Sequence, residues 1–385
     1  MMYSHAGTLM QLTSMKISKP NFYRIRQRHH EDGMSMIELL LGIALSMGAI
    51  IAIYLILTSW DARRRTIATG SNAQISGGVG IMDIERDLRQ AGVGFGNVSA
   101  ATIGCTVSTY NSTLTPQNSS FTLTPIEIID GASGAPDTIH VLYGNSAYVA
   151  NIQELDASTA TTKTLKYRAG FNAGDTILVA GNTPRDCATY EVTGNLATDV
   201  VSIEHNTTSY TNFYTAASVT PTGNSSSASV TFSTGEIYDF GPSPQRTEWI
   251  VTSAGVLTRR NTFRDATAFE VAEGIADLQA QYGVDGSDGS TPNGSIEATE
   301  WTNTTPTNWA TLLAVRVAIL TRSGQLEKES VTSSALTWSG GTFTMRNLDG
   351  TTSVSSVIAN DWHHYRYRVY ETVVLLRNMT WGATS

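Results

Sequence analysis

The apolar residues of the chain are concentrated in one continuous run near its N terminus. Residues 34–57 read MSMIELLLGIALSMGAIIAIYLIL, and Glu38 is the one charged side chain among them. As a helix that rises about 1.5 Å per residue, this run is long enough to cross a bilayer core of about 30 Å. The pattern therefore predicts a membrane-spanning helix over residues 34–57.

Past the apolar run, the pattern is that of an amphipathic helix. Apolar side chains recur at spacings of three and four as far as Leu88, and Glu85 and Arg89 form an i,i+4 pair of opposite charge. Three glycines just before these residues weaken the middle of the segment. We expect the helix to continue to about Gln90 and to end at Ala91–Gly92, where glycine can form the C-cap.

The remaining residues, 93–385, alternate between short β-prone runs and turn-forming segments. Residues 225–229 and 302–307 have the composition of loops, and Glu270–Tyr282 has the spacing of a short helix packed on a sheet. We predict an α+β protein, in which a long N-terminal helix packs on an antiparallel, β-rich C-terminal head. The segments that read as strands are Thr138–Leu142, Thr176–Ala180, Trp249–Thr252, Thr311–Leu320 and Arg368–Leu376.

Charge on either side of the apolar run bears on its orientation. The upstream flank is basic, and positive flanks stay on the cytoplasmic side, so the chain is expected to continue outward from Leu57. Arg63–Arg65, just beyond the run, oppose this orientation, but the first helix usually dominates. The upstream charges are Lys16, Lys19, Arg24, Arg26 and Arg28 against Glu31 and Asp32.

Overall composition excludes several classes of protein. The formal net charge is −8, which argues against a nucleic-acid-binding protein, since these usually carry a basic surplus. Two cysteines in 385 residues exclude a disulfide-dense scaffold and a four-cysteine zinc site. Walker A, HExxH, CxxC and GxSxG motifs do not occur, and AGVGFG at 91–96 follows a helix instead of joining a strand to one. We therefore expect neither an enzyme nor a cofactor.

The residues around the start of the apolar run resemble a processing signal. An ordinary secretory signal has a shorter apolar stretch with a small-residue cleavage site after it. Here Gly33 stands before the run, and Gly33–Leu39, GMSMIEL, resembles the class III signal of type IV pilins and pseudopilins. The resemblance implies cleavage between Gly33 and Met34 by a prepilin peptidase, with methylation of the new amine. It divides the chain into a cytoplasmic leader (1–33), an N-terminal helix (34–92) and a pilin-like head (93–385).

Glu38 occupies the fifth position of the mature chain that this resemblance implies. An unpaired charge in hydrocarbon is costly, so a carboxylate there normally has a partner. We expect that partner to be the Met34 amine of a neighbouring subunit, which would fix the stagger of packed helices. The alternative is a plain signal anchor whose Glu38 reaches the membrane interface.

Further segments resemble the PilW group of minor pilins, whereas about 97–245 resembles no family that we can name. The resemblance implies a minor pilin that helps to initiate or cap a type IV pilus. It is expected to span the bacterial inner membrane once, with its C terminus periplasmic, before it enters the pilus at the cell surface. A type II secretion pseudopilin and a pilus-tip adhesin or binding module are the alternatives. The segments are Glu85–Gly92, Val271–Val284, Ala314–Leu320 and Tyr367–Asn378.

The partners implied by this resemblance are proteins of pilus assembly. They are other minor pilins, the major pilin, the prepilin peptidase, the inner-membrane assembly platform and a large pilus-tip adhesin, in addition to membrane lipid. No nucleic acid is expected.

Three pairs of residues in the head are candidates for a disulfide or a metal site. Cys105 and Cys187 form the one possible intramolecular disulfide, and a head that faces the periplasm is expected to be oxidised; two buried free thiols are the alternative. Asp285 and Asp288, in DGSDGS, alternate oxygen ligands with tight turns as calcium loops do, but a plain β-turn is favoured and no metal is expected. His363–His364 could ligate a metal, but adjacent residues of a strand point to opposite faces, and we favour a pair at a loop edge without metal.

Overall fold

The computed structural model describes residues 35–95, 102–146, 152–167, 170–182, 186–195, 201–225 and 230–380. Gly33, Met34 and the rest of the predicted leader lie outside the described residues, as do parts of the 97–245 region. The chain forms two compact units, Met1–Asp61 and Ala62–Ser385.

Helix α1 (Met36–Gln90) contains two segments of different character. Up to Asp61 its side chains are exposed, and the apolar ones among them lie on every side of the helix. From Gly77 onward the helix has a buried face, which includes Ile84 and Leu88, both fully inaccessible to solvent. Gly92, just past the end of α1, has a φ of 82°, the left-handed conformation typical of a glycine C-cap.

The β elements all follow α1 and are mostly short. A second helix, α2 (Arg377–Thr380), comes after the last strand. In chain order the strands are β1 Thr106–Tyr110, β2 Asn118–Thr122, β3 Ile126–Gly131, β4 Ala135–Tyr143, β5 Gln153–Ser158, β6 Thr162–Leu165, β7 Thr176–Gly181, β8 Asp186–Glu191, β9 Gly194–Asn195, β10 Ser202–Glu204, β11 Tyr210–Thr211, β12 Ser218–Val219, β13 Gly235–Gly241, β14 Gln245–Val251, β15 Val256–Asn261, β16 Phe269–Glu273, β17 Ile275–Val284, β18 Trp301–Thr302, β19 Leu312–Arg322, β20 Thr337–Trp338, β21 Gly341–Thr342 and β22 Tyr367–Leu375.

Three main sheets organise these strands. A nine-stranded sheet has the order β2-β1-β8-β7-β13-β5-β6-β10-β9, a five-stranded sheet β16-β15-β14-β4-β3, and a four-stranded sheet β18-β17-β19-β22. Strands β11 and β12 form a small ribbon, and so do β20 and β21. All pairings within the described residues are antiparallel except β1 with β8, which is parallel.

The largest apolar core lies where the end of α1 meets the five-stranded and four-stranded sheets. Ile84 and Leu88 of the helix pack there with Trp249 and Tyr282 from the sheets. Gly77 permits a close approach, because a Cβ at this position would overlap the Tyr370 ring. The last turns of α1 are therefore part of the head's core.

The structure confirms the α+β class and the largely antiparallel sheets, but not a long pilin-like helix packed on the head. The apolar segment Met36–Asp61 is exposed throughout, and only the turns from Gly77 onward contribute to the core. A helix that is apolar on all sides has no single apolar face that packs on a sheet, so the apolar surroundings that it needs have to lie outside the chain.

The five predicted strands are confirmed, but the helix predicted over Glu270–Tyr282 is wrong. That segment forms β16 and β17, separated by Gly274, whose φ is 73°. Both faces of the four-stranded sheet are covered, one by the main core and the other by a cluster that includes Phe343 and Trp362. The register of β17 shifts between Ile275 and Asp277, so Ile275 and Leu278, three residues apart, both face the main core and imitate helical spacing.

Candidate functional site

The apolar part of α1 is the clearest candidate for a functional segment. Met36–Asp61 has a mean hydropathy of 2.5 over its most apolar stretch, and none of that stretch is buried within the chain. Its 26 residues extend about 39 Å as a helix, which exceeds the roughly 30 Å of a bilayer core. By length and composition it is a candidate membrane span, and the predicted 34–57 segment falls almost entirely within it.

Glu38 lies in the first turn of α1 with its side chain exposed. A carboxylate in this position also interacts favourably with the partial positive charge of a helix N terminus. The docking role expected for Glu38 requires the Met34 amine of another subunit, and it stays a prediction.

The disulfide predicted between Cys105 and Cys187 is present, and both residues are buried. Cys105 immediately precedes β1, and Cys187 lies in β8, so the bond joins the two strands that pair in parallel. Parallel neighbours cannot be linked by a tight hairpin. The disulfide therefore provides a local covalent link between strands that are distant along the chain.

The carboxylates of the Asp285–Ser290 loop bind groups of the loop itself. Asp285 accepts hydrogen bonds from the backbone of Asn293 and Gly294, whereas Asp288 accepts one from Ser290 N and one from Thr299 Oγ1. The Thr299 bond, followed by the Ser290 bonds, lowers the pKa of Asp288 to about 2. Across the described residues no group of three or more His, Cys, Asp or Glu side chains could hold a metal ion.

Glu300 is the residue of this loop that the sequence analysis missed. It is fully buried and accepts hydrogen bonds from Gly286 N, Glu297 N and Ser290 Oγ at 2.6–3.2 Å. A glutamate outside the DGSDGS segment therefore fixes the loop. Its distance of more than ten residues from Asp285 is the reason that local motif spacing did not indicate it.

The two adjacent histidines have separate local partners. His363 Nδ1 lies 2.6 Å from Asp361 Oδ1, and the ring stacks on Trp362. His364 Nδ1 lies 3.0 Å from the Glu327 carbonyl oxygen. Each ring is thus held by a neighbour of its own, and the two residues lie in a short 3₁₀ turn before β22, at the edge of a loop as expected.

A buried carboxylate anchors the end of α1 to the sheets, and the sequence analysis did not single it out. Asp87 is 1% exposed and accepts a 3.2 Å hydrogen bond from Trp249 Nε1. Arg259 Nε lies 3.3 Å from the same carboxylate, and the Tyr143 hydroxyl donates a hydrogen bond to it. Burial raises the pKa of Asp87, and the nearby Arg259 and Arg86 oppose that shift. In the sequence, the sign that could have identified Asp87 is that an aspartate stands next to Leu88, on the apolar face of the helix.

Comparison with known proteins connects part of this structure to a family. Residues 250–378 match the family model of type IV pilus-assembly protein W (PilW). The match covers about a third of the chain and supports a relationship to that family, and with it a role related to type IV pilus assembly. No curated protein and no solved structure matches the chain significantly.

The PilW match corresponds to a defined part of the fold. It begins in β14, includes β15 and β16, and contains the whole four-stranded sheet and the segment that covers its outer face. Three of the segments that resemble PilW lie inside it, Val271–Val284, Ala314–Leu320 and Tyr367–Asn378, whereas Glu85–Gly92 lies outside. The nine-stranded sheet is also outside the match.

Proposed function

We propose that this chain is a minor pilin that helps to initiate or cap a type IV pilus. The observation that carries the proposal is the combination, in one chain, of a PilW match over residues 250–378 and an exposed apolar helix at Met36–Asp61. An exposed apolar helix needs lipid or other apolar helices around it. A pilin subunit passes from the first of these environments to the second.

Processing and topology are part of the same proposal. The leader is cut between Gly33 and Met34, the new amine is methylated, and the chain crosses the inner membrane once with its head in the periplasm. The disulfide supports an oxidising compartment for the head, since disulfides are rare in the bacterial cytosol. In this function the chain is a client of assembly enzymes and has no catalytic activity itself.

The proposed partners are those of a pilus subunit. They are other minor pilins, the major pilin, the prepilin peptidase and the assembly platform of the inner membrane, with a tip adhesin as a further partner. A type II secretion pseudopilin would share the N-terminal signal, but the PilW match favours pilus assembly.

The test is to replace Gly33 in the native host and to compare Gly33→Leu with the small control substitution Gly33→Ala. Gly33→Leu should leave the leader attached and reduce the number of pili seen by electron microscopy. Gly33→Ala should be processed more efficiently than Gly33→Leu. N-terminal analysis of the wild-type membrane form should give Met34. A mature chain that starts elsewhere contradicts the processing step, and a deletion strain with normal pili but defective type II secretion contradicts the pilus assignment.

A further inference from the structure

A cavity of about 300 Å³ lies on the outer face of the four-stranded sheet. Its walls are the turn between β14 and β15, the strands β17, β19 and β22, and the loop 344–350. This volume is at the lower end of the range for small-molecule sites in proteins, about 300–1,000 Å³. Nothing in pilus assembly, as proposed above, requires such a cavity.

Strand register explains why polar side chains gather there. Asp277 of β17 is opposite Leu320 of β19, and Arg322, two residues further along β19, is opposite Tyr367 of β22. Residues that are opposite each other, or two apart on one strand, lie on the same face of a sheet. The loop then adds Arg346 from above, and all of these residues line the cavity.

Two buried polar atoms of the lining residues have no hydrogen-bond partner, Asp277 Oδ2 and Arg346 Nε. The Tyr367 hydroxyl interacts with the neighbouring Arg322 side chain. Asp277 is 2% exposed, so its free oxygen is also shielded from bulk solvent. Buried polar atoms are nearly always hydrogen-bonded, so two unpaired ones on residues that line one cavity are in keeping with a polar occupant.

Arg346 is held so that its free atom is fixed in place. Its two terminal nitrogens donate to the carbonyl oxygens of Gly350 (3.2 Å) and Ser133 (2.7 Å), which leaves Nε as the unused donor. The guanidinium is thus held by two carbonyl groups and by no carboxylate. The carboxylate of Asp277 is close enough to interact with it electrostatically, but the two groups form no ion pair.

The charge balance of the cavity favours an anion. Arg322, which lies over the Tyr365 ring, is a second guanidinium of the lining without an ion-pair partner among the described residues. Burial raises the pKa of Asp277 to about 7, with Asp137 adding to the shift, so this carboxyl compensates the arginines only in part near neutral pH. Asp349, the other acidic group of the lining, accepts hydrogen bonds from Thr351 and Asn360.

We propose that this cavity binds a small ligand that carries a carboxylate. The guanidinium groups of Arg346 and Arg322 attract and orient the carboxylate, since arginine suits the planar geometry of this group. Asp277 and the Tyr367 hydroxyl bind a hydroxyl or amide group elsewhere on the ligand. The apolar body of the ligand packs on Leu320 and the neighbouring aliphatic wall.

The ligand chemistry is tested with two matched pairs of compounds and the full chain in detergent. One pair is glucuronate and glucose, and the other is N-acetyl-alanyl-alanine and its C-terminal amide. Saturation-transfer NMR should detect binding of a charged member and not of its uncharged counterpart. Glucuronate binding identifies an acidic sugar, whereas binding of the dipeptide identifies a peptide C terminus. Failure of both carboxylates to bind at millimolar concentration, or equal binding of the uncharged compounds, overturns the proposal.

Variants connect the binding to this cavity. Arg346→Gln should weaken binding by roughly tenfold or more, because a charge-assisted hydrogen bond is lost. Arg368→Gln, at an exposed arginine of β22 outside the cavity, is the matched control and should bind as the wild type does. Tyr367→Phe removes a single hydroxyl and should weaken binding several-fold, which keeps the test valid if Arg346→Gln unfolds. Unchanged affinity in folded Arg346→Gln, or in Tyr367→Phe if Arg346→Gln unfolds, shows that the compounds bind elsewhere.

Discussion

Three buried carboxyl groups of the head hold their protons more firmly than free aspartate does. Burial raises the pKa of Asp277 to about 7 and those of Asp137 and Asp239 to about 6, from an ordinary value of 3.8. A carboxyl group whose pKa is higher in the folded chain than in the unfolded chain contributes to stability. Its contribution is complete when the pH lies below the pKa of the unfolded chain. That contribution is lost as the pH rises through the folded value. The stability of the head should therefore fall as the pH rises from about 4 to about 7.

Asp277→Asn should stabilise the head progressively as the pH rises. The amide oxygen can still accept the hydrogen bonds that Leu278 N and Gln279 Nε2 donate to Asp277, while the ionisable proton is removed. We expect the gain in unfolding free energy to grow by roughly 2–3 kcal/mol between pH 5 and pH 8, measured by chemical denaturation. Asp288→Asn is the control, since its pKa of about 2 lies below this range and its effect should stay constant. A gain from Asp277→Asn that is independent of pH would refute the interpretation.

Glu38→Ala should separate membrane insertion from assembly. The change removes a charge that costs roughly 2.5–3.5 kcal/mol at the centre of a bilayer, so insertion should be as good as in the wild type or better. If Glu38 pairs with the amine of a neighbour, the same variant should form fewer pili. Membrane fractionation and pilus counts in one strain measure both effects. Ser46→Ala, which removes only a hydroxyl bonded to Ile43 O, is the control, and normal piliation by Glu38→Ala would exclude the docking role.

At the scale of elements, the glycines near the end of α1 have opposite roles. Gly77 faces the four-stranded sheet, and an added Cβ would overlap the Tyr370 ring and lie 2.7 Å from Thr321 Cγ2. Gly78 has no atom within 4 Å of an added Cβ. The sequence indicated only that these glycines weaken the helix, because their packing depends on strands almost three hundred residues further on.

Alanine substitutions at these two positions should therefore change stability in opposite directions. Gly77→Ala should destabilise the head by roughly 1–3 kcal/mol, since the ring has to move. Gly78→Ala should stabilise it by roughly 0.5–1 kcal/mol through helix propensity. Thermal or urea unfolding of both variants side by side decides the matter, and equal effects would mean that α1 does not pack on Tyr370 in this way.

The disulfide is the second element-scale link that can be tested. Cys187→Ser should lower the stability of the head by roughly 2–4 kcal/mol, because the unfolded chain is no longer constrained by a long loop. Cys105→Ser should have the same effect, and the double variant should be no worse than either single one. Free thiols in wild-type protein that is alkylated at lysis would show that the bond does not form in the cell.

The sequence was most informative where one physical requirement dominates a segment. Continuous hydrophobicity was enough to predict the span, and β-branched runs such as Thr176–Ala180 were enough to predict strands. Glu270–Tyr282 was misread because a strand break at Gly274 and a register shift after Ile275 put apolar residues at helical spacing, and both are properties of the assembled sheets. Asp87 and Arg346 could not be assigned either, because Trp249 and Arg259, which bind Asp87, and Ser133, which binds Arg346, lie far away along the chain.

At the scale of the whole molecule, the head depends on residues that precede it in sequence. Ile81, Ile84 and Leu88 belong to its largest core, and Asp87 is buried with them. Loss of one large buried apolar side chain costs roughly 2–5 kcal/mol, and a domain is stable by roughly 5–15 kcal/mol in total. A head that lacks the end of α1 should therefore not be stable.

Two truncated chains test this dependence. The piece 62–385, which is the second compact unit, should be a folded monomer with cooperative thermal unfolding. The piece 92–385 should aggregate or unfold without a cooperative transition. Size-exclusion chromatography and circular dichroism distinguish these outcomes, and a stable, monomeric 92–385 would show that α1 is dispensable for the core.

The contact between the end of α1 and the last long strand also determines when the head can fold. Glu85 and Thr372, whose side chains meet at 3.4 Å, are 287 residues apart. A chain synthesised at about 5–20 residues per second takes roughly 15–60 s to cover that separation. The strands of the five-stranded sheet, which share the core with Ile84 and Leu88, are made earlier in this interval, but the four-stranded sheet stays incomplete until its end. Contacts of such long range also slow folding. The apolar face at the end of α1 therefore stays partly uncovered until β22 is made, so the head completes its largest core only when synthesis of the chain is almost finished.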